Sequence, residues 1–351
     1  MAEGYKKRRP DIMFLNILFC LLVIFIHIAS EVVLKAPKDT TLFKVIYVAQ
    51  KLSSFVVPGF VLLSGVKLFL NYDNKPNYPK YYWSRIKRVV IPYVLWCFIY
   101  YAWICYRGNT EFNAGELLLG IFTGNIWAHF YFVVILIQFI ILTPLWIKLY
   151  NGGNSAVHIS YSILLTALSV MFLPSVATTI FPSTPNFDVS ACFLRYLAYW
   201  TAGCLIGKNY NAFIDYIKGH KISILLRFLI FGAADGYIAL VTFGREPVWL
   251  ELFHMLYAAS AILFFYMISQ VFSGKGQKLL IPMYFFDRSS YLVYLVHCLI
   301  IIIADEWMTA KGITGLNERL SWRAISVYVI SILLATIWQM IRLIFVKRKK
   351  G

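Results

Sequence analysis

Hydrophobic residues in this chain neither alternate with polar ones nor mark a single helix face. They run in long blocks, separated by short stretches that gather Lys, Arg, Pro, Asn and Gly. A helix needs about 20 mainly apolar residues to cross the hydrocarbon core of a bilayer. Ten such blocks are readable, at 12–30, 48–70, 89–106, 129–149, 158–174, 189–207, 222–242, 249–271, 284–304 and 324–346. The pattern predicts an all-α fold, a polytopic membrane bundle of about ten transmembrane helices that forms a single domain over 1–351. So little chain remains between the blocks that any chemistry must belong to the bundle itself.

Composition supports this reading: 60% of residues are hydrophobic and 14% charged, where a soluble domain has roughly 45–50% and about 25%. A net charge of +17 would suit a nucleic-acid binder, but its placement gives it another meaning. With the N-terminus inside and the loops assigned alternately, the inner set holds 20 Lys and Arg, from Lys6, Lys7, Arg8 and Arg9 through Lys75 and Lys275 to Lys349 and Lys350. The outer set holds eight: Lys35, Lys38, Lys44, Arg107, Arg245, Lys311, Arg319 and Arg323. This asymmetry predicts that both termini are cytoplasmic. The protein then sits multi-pass in the plasma membrane, its basic face drawn to anionic lipid and not to nucleic acid. The first block follows four basic residues, as a signal peptide would, but it is too long for one and no small-residue cleavage site closes it.

The six cysteines lie in or beside apolar blocks without CxxC or Cys/His spacing. They read as small hydrophobes, and no metal site is expected. A glycine-rich phosphate loop is also missing, which argues against a nucleotide-driven pump, and no permanently bound cofactor is expected.

Polar groups inside the blocks then become informative. His27 follows fifteen residues, 12–26, with Asn16 as their one polar side chain and no charge. An ionisable group at membrane depth is costly and by default functional. Asn16 and His27 are 11 residues apart, about three helical turns, and so share a face with Cys20 and Glu31. Glu31, four residues beyond His27, is placed to accept a hydrogen bond from one ring nitrogen and raise the basicity of the other. At roughly 1.5 Å per residue His27 lies about 22 Å along its span. A histidine merely satisfied by a neighbouring helix fits the same facts.

Arg85 and Arg88, one turn apart before the third block, can present two guanidinium forks to a phosphate, or serve only as a positive flank. His129 opens the fourth block at a depth comparable with His27, in a setting that also suits an aromatic belt. His297 lies in the ninth block. Arg195, Asp235, Glu251 and His254 are further polar groups within the blocks, most of them expected to pair inside the bundle.

Taken together these residues resemble the integral-membrane acyltransferase 3 family from end to end. The first span with its late histidine is similar to the family's opening helix, and Pro58-Gly59-Phe60-Val61-Leu62-Leu63-Ser64-Gly65 resembles its second-span stretch. Arg85-Ile86-Lys87-Arg88 with Ile91-Pro92-Tyr93 looks like its arginine pair and proline, and the run from His129 to Pro144 like its histidine-to-proline signature. Tyr199-Trp200-Thr201-Ala202-Gly203 with Gly207-Lys208, and Tyr294-Leu295-Val296-His297, match later landmarks.

The resemblance implies an enzyme, a membrane-bound O-acyltransferase that moves an acyl group, usually acetyl from acetyl-CoA, to a hydroxyl of a cell-surface carbohydrate. It implies His27 as catalytic base and Arg85 and Arg88 as acyl-CoA contacts; His129 and His297 match its motif positions and, with the span charge Arg195, are expected toward the substrate. One departure matters: the family carries arginine eleven residues before the histidine, and this chain has Asn16. Charge stabilisation would then come from elsewhere, for example Lys67 or Arg195.

The expected mechanism has acyl-CoA docking from the cytoplasm and the acceptor entering from outside, with His27, oriented by Glu31, as general base. Asn16, His129 or backbone N–H groups would stabilise the oxyanion. Two alternatives stay open. One is a transporter or flippase of surface-polymer intermediates using Asp235, Glu251 and Arg195; the other is an inactive family member that partners polysaccharide-synthesis proteins.

Overall fold

A computed structural model describes residues 9–72, 76–180, 189–245, 247–274 and 277–348. The basic residues Lys6, Lys7, Arg8, Lys75, Lys275, Lys349 and Lys350, used above for sidedness, lie outside them. Among the described residues every regular element is helical, and eight helices are long and apolar enough to cross a membrane, or nine if one bent pair counts as a span. The protein is a multi-pass, all-α membrane protein. It divides into two compact units, residues 1–60 with 214–351, and residues 61–213, at no boundary the sequence pattern marks.

The first unit is built on α1, Pro10–Lys35, which starts on a proline that needs no amide partner and stops where Ala36 turns extended before Pro37. Thr40 then caps α2, Thr41–Ser53, by accepting from the Phe43 amide. A break at Ser54 and Phe55 separates α2 from α3, Val56–Leu70, within one apolar run. The C-terminal part of this unit holds α12, Lys221–Val241; α13, Val248–Ser269; α14, Gln277–Ala310; and α15, Leu316–Arg348.

Interhelical bonds fix the directions of these helices. Asn16 meets Asp287, Cys20 meets the Ser290 carbonyl and His27 meets His297, so positions on α1 and α14 rise together and the two helices are parallel. Against α15 the order reverses: Glu31 meets Arg319, the Ile28 carbonyl meets Arg323 and the Leu21 carbonyl meets Tyr328. The start of α1 and the end of α15 therefore come to the same end of this unit.

The second unit contains α4, Tyr78–Arg85; α5, Ile91–Tyr106; α6, Ala114–Thr123; α7, Tyr131–Ile141; α8, Thr143–Asn151; α9, Ser155–Ile180; and α10, Leu197–Lys208. A wide π-helical turn, Ile86–Val90, joins α4 to α5. The block expected to span at 189–207 is instead a pair of short 3₁₀ turns leading into the twelve-residue α10. The chain continues into α11, Tyr210–Gly219.

Glycines explain the closest packing here. A Cβ on Gly203 would stand 2.1 Å from the Leu62 carbonyl oxygen, one on Gly207 2.5 Å from that of Val66, and one on Gly65 2.7 Å from that of Trp200. Helices in lipid gain from such backbone proximity, which only small residues allow. The Gly65, Gly203 and Gly207 landmarks thus report helix packing.

Candidate active site

His27 is where the first unit becomes chemically distinctive. Its ring lies 5.0 Å, centroid to centroid, from that of His297 on α14, tilted by 54°. His297 is fully buried, and its Nδ1 is 2.7 Å from the Tyr294 carbonyl oxygen. A carbonyl only accepts, so Nδ1 carries the hydrogen and Nε2 keeps a lone pair. The Cys298 thiol, 3.3 Å from that Nε2, can donate to it. The sequence suggested His129 as the histidine level with His27; the one the structure sets beside it is His297.

Cys298 adds an option the spacing did not show. The ring nitrogens of His27 and His297 and the Cys298 sulfur lie within 4.8 Å of one another, a set that could hold a soft cation such as zinc. Consecutive residues 297 and 298 carry no recognisable metal spacing, and His27 lies far away in sequence.

Two polar clusters flank the histidine pair along α1. Toward the Pro10 end, buried Asn16 donates from Nδ2 to Asp287 Oδ1 at 2.7 Å. Asparagine at this position therefore answers a carboxylate without contributing a cation. Lys67 and Arg195, suggested above as substitute cations, both belong to the second unit.

Toward the Lys35 end, the structure corrects the expected role of Glu31. Its carboxylate lies 2.9 and 3.0 Å from Arg319 Nε, 3.1 Å from Arg323 Nη2 and 2.8 Å from Lys35 Nζ. Arg323 also pairs bidentately with Asp305. With two buried guanidinium groups within reach, the charge-assisted bonds win and Glu31 does not orient His27. Arg319 and Arg323 were read as outer-loop cations and are instead buried ligands of Glu31.

The remaining candidates lie in the second unit. Arg85 is half-buried with its guanidinium 5.0 Å above the Tyr81 ring, and Arg88 is exposed within the π-turn. The π-turn changes the simple one-turn spacing assumed for this pair, and such turns are frequent at functional sites. Helix α4 is tied to the kink between α7 and α8: the Tyr81 hydroxyl is 3.0 Å from Thr143 Oγ1, and Tyr82 donates to the Ile141 carbonyl at 2.8 Å. His129 is buried at the entry to α7, its ring 4.3 Å from Phe130 and 5.6 Å from Tyr100, in an aromatic cluster with Trp127 and Tyr93. Arg195 sits half-buried in the second 3₁₀ turn.

Asp287, Cys298, Asp305, Arg319 and Arg323 were missed as site neighbours. The signal available was that Asp287 and His297 are polar exceptions on one long apolar helix, ten residues apart.

Comparison with known proteins gives one consistent result. A family model described as an acyltransferase domain matches residues 10–341. Relatives named "Probable poly-beta-1,6-N-acetyl-D-glucosamine export protein" include one from Staphylococcus aureus (strain MSSA476), 23% identical over 308 residues, 84% of this chain and 83% of the relative. Another, from Staphylococcus epidermidis (strain ATCC 35984 / DSM 28319 / BCRC 17069 / CCUG 31568 / BM 3577 / RP62A), is 22% identical over 311 residues, 84% of this chain and 82% of the relative. No solved structure matches.

Proposed function

Because the chain belongs to the acyltransferase family whose domain it matches over nearly its whole length, we propose that it transfers an acyl group, acetyl by family default, from acyl-CoA to a hydroxyl of a surface polysaccharide. The single observation that carries this reading is the histidine pair between α1 and α14, two imidazoles facing each other inside an apolar bundle. In this reading His27 takes the proton of the acceptor hydroxyl as its oxygen attacks the thioester carbonyl carbon. The carbonyl electrons move to oxygen, return as the C–S bond breaks, and the departing thiolate leaves as thiol with the proton from His27. His297, with its Nδ1 hydrogen committed to Tyr294 and its Nε2 3.3 Å from the Cys298 sulfur, holds a fixed tautomer beside His27.

Arg85 and Arg88 are proposed as the contacts for the acyl-CoA phosphates, to which planar guanidinium groups are suited. We place the protein in the cell membrane with both termini cytoplasmic, from the 20-to-eight distribution of basic residues. The relatives' printed names suggest a poly-N-acetylglucosamine as the acceptor. They also favour a second reading, export of the polymer, in which the buried polar groups line a path rather than catalyse.

Surface glycan weighed by mass spectrometry from cells with the protein, without it, and with His27→Ala separates these readings. Loss of an acyl increment both on deletion and in His27→Ala supports the transferase. Less polymer of unchanged mass supports export, and an effect of deletion that His27→Ala fully rescues supports an assembly partner and overturns the transferase.

A further inference from the structure

A second cluster in the first unit joins the break between α2 and α3 to α12 and α13. Ser54 Oγ is 2.8 Å from His254 Nε2, and His254 Nδ1 is 2.7 Å from Asp235 Oδ2. Asp235 is completely buried, its other carboxylate oxygen has no hydrogen-bond partner among the described residues, and the imidazole is thus the group to which its charge is directed. A buried carboxylate that grips one ring nitrogen sets the tautomer and points the other nitrogen at a hydroxyl. Three residues separated by 200 and 19 positions in sequence are brought to bonding distance in the order a serine nucleophile requires.

The backbone at Ser54 points the same way. It occupies the break between α2 and α3, in the middle of a 30-residue apolar run that otherwise would be one span. Broken helices at membrane depth are tolerated where they serve a cavity or a binding site. Ser54 and the His254 ring both keep partial exposure, so the hydroxyl is not sealed in the core. Tyr257 stabilises the break from α13 by donating to the Leu52 carbonyl at 2.9 Å.

We propose that Ser54, His254 and Asp235 form a second acyl-handling centre, in which Ser54 accepts an acyl group from an acyl thioester and passes it to a hydroxyl. Ser54 Oγ attacks the thioester carbonyl carbon while its proton moves to His254 Nε2. Collapse of the tetrahedral adduct breaks the C–S bond, and the thiolate departs with that proton as free thiol, leaving an ester on Ser54. The incoming hydroxyl then gives its proton to Nε2 as its oxygen attacks the ester carbonyl, and Ser54 Oγ leaves and recovers the proton. Nothing is oxidised or reduced in either step. The proposal holds for any acyl thioester and does not depend on His27 acting as a base.

A competing arrangement is written in the same atoms. Ser54 Oγ is also 2.7 Å from the Lys51 carbonyl. If the hydroxyl donates there and His254 donates to Ser54, the cluster is a fixed hydrogen-bond chain and Ser54 is not a nucleophile. A fluorophosphonate probe applied to the full-length protein in membranes, followed by peptide mass spectrometry, decides between them. The expected result is phosphonylation of Ser54 that Ser54→Ala abolishes, that Asp235→Asn slows at least tenfold, and that His27→Ala leaves in place. Ser54→Thr, which keeps the hydrogen bonds, guards against loss through misfolding; it is expected to fold as the parent and to label more slowly. An unlabelled Ser54 in protein that still transfers acyl groups would overturn the proposal and leave the reading of His27 standing.

Discussion

The two units use their polar residues for different ends. In the first, polar side chains meet one another across helices: Asn16 with Asp287, His27 with His297, Glu31 with Arg319 and Arg323, His254 with Asp235. In the second, beside hydroxyl pairs such as Tyr81 with Thr143 and Tyr150 with Thr201, they repair the backbone where helices break. Gln138 accepts from the Phe193 amide and donates to the Ala191 carbonyl beside the 3₁₀ turns, Thr166 donates to the Leu194 carbonyl and accepts from the Ala198 amide, and Tyr82 serves Ile141 at the α7–α8 kink. Unsatisfied backbone groups cost several kcal/mol in a lipid environment, so an irregular helix must find such partners. Gln138, Thr166 and Tyr82 in the second unit are therefore accounted for by its broken helices, whereas the side-chain pairs of the first unit answer no such break.

That contrast can be broken most severely at Glu31. Glu31→Gln leaves Arg319 and Arg323 buried without one of their two carboxylates, and removing one partner of a buried ion cluster costs about 3–5 kcal/mol. Unfolding of the detergent-solubilised variant checks this, and the pH profile of any residual transfer should keep its shape, because Glu31 does not touch His27. Gln138→Leu should cost less, about 1–3 kcal/mol, through the orphaned Phe193 amide and Ala191 carbonyl. A loss there confined to stability would support the backbone-repair role.

Arg85→Ala with Arg88→Ala should raise the KM for acyl-CoA about tenfold, equivalent to about 1.4 kcal/mol of lost binding, with thermal stability near the parent because Arg88 is exposed. Lys35→Ala should be the mildest change. Its side chain is 65% exposed although it touches the same Glu31 carboxylate, and exposed pairs contribute about 0–1 kcal/mol. Chemical denaturation of Lys35→Ala beside Glu31→Gln would separate the buried part of the cluster from its solvated edge.

Much of the first unit was legible in the sequence because a bilayer makes polar exceptions conspicuous. His27 and Asn16 stood out against their apolar block, and their common face on α1 is the face that meets α14. Their partners were less legible. Asp287 lies 271 residues from Asn16 and His297 270 residues from His27, and nothing in one sequence reports so long-range a pairing. Glu31 misled for a physical reason: spacing of four residues makes a bond to His27 geometrically available, but Arg319 and Arg323, read as loop cations, offer charge-assisted bonds that are stronger. Among the spans, the block at 189–207 has the composition of a membrane helix but starts as 3₁₀ turns held by Gln138 and Thr166, contacts that depend on tertiary structure. Ser54 went unnoticed because a serine at a helix break is ordinary until His254 is seen beside it.

The central claim is that the His27–His297 pair performs the acyl transfer. The most direct measurement is the rate of acyl transfer from acetyl-CoA to a soluble poly-N-acetylglucosamine fragment by purified protein in liposomes, comparing the parent with His27→Ala at equal folded concentration. The account predicts a fall of 10²–10⁴-fold, about the contribution of a positioned general base, with an unchanged melting curve. Transfer by His27→Ala at the parental rate would contradict it.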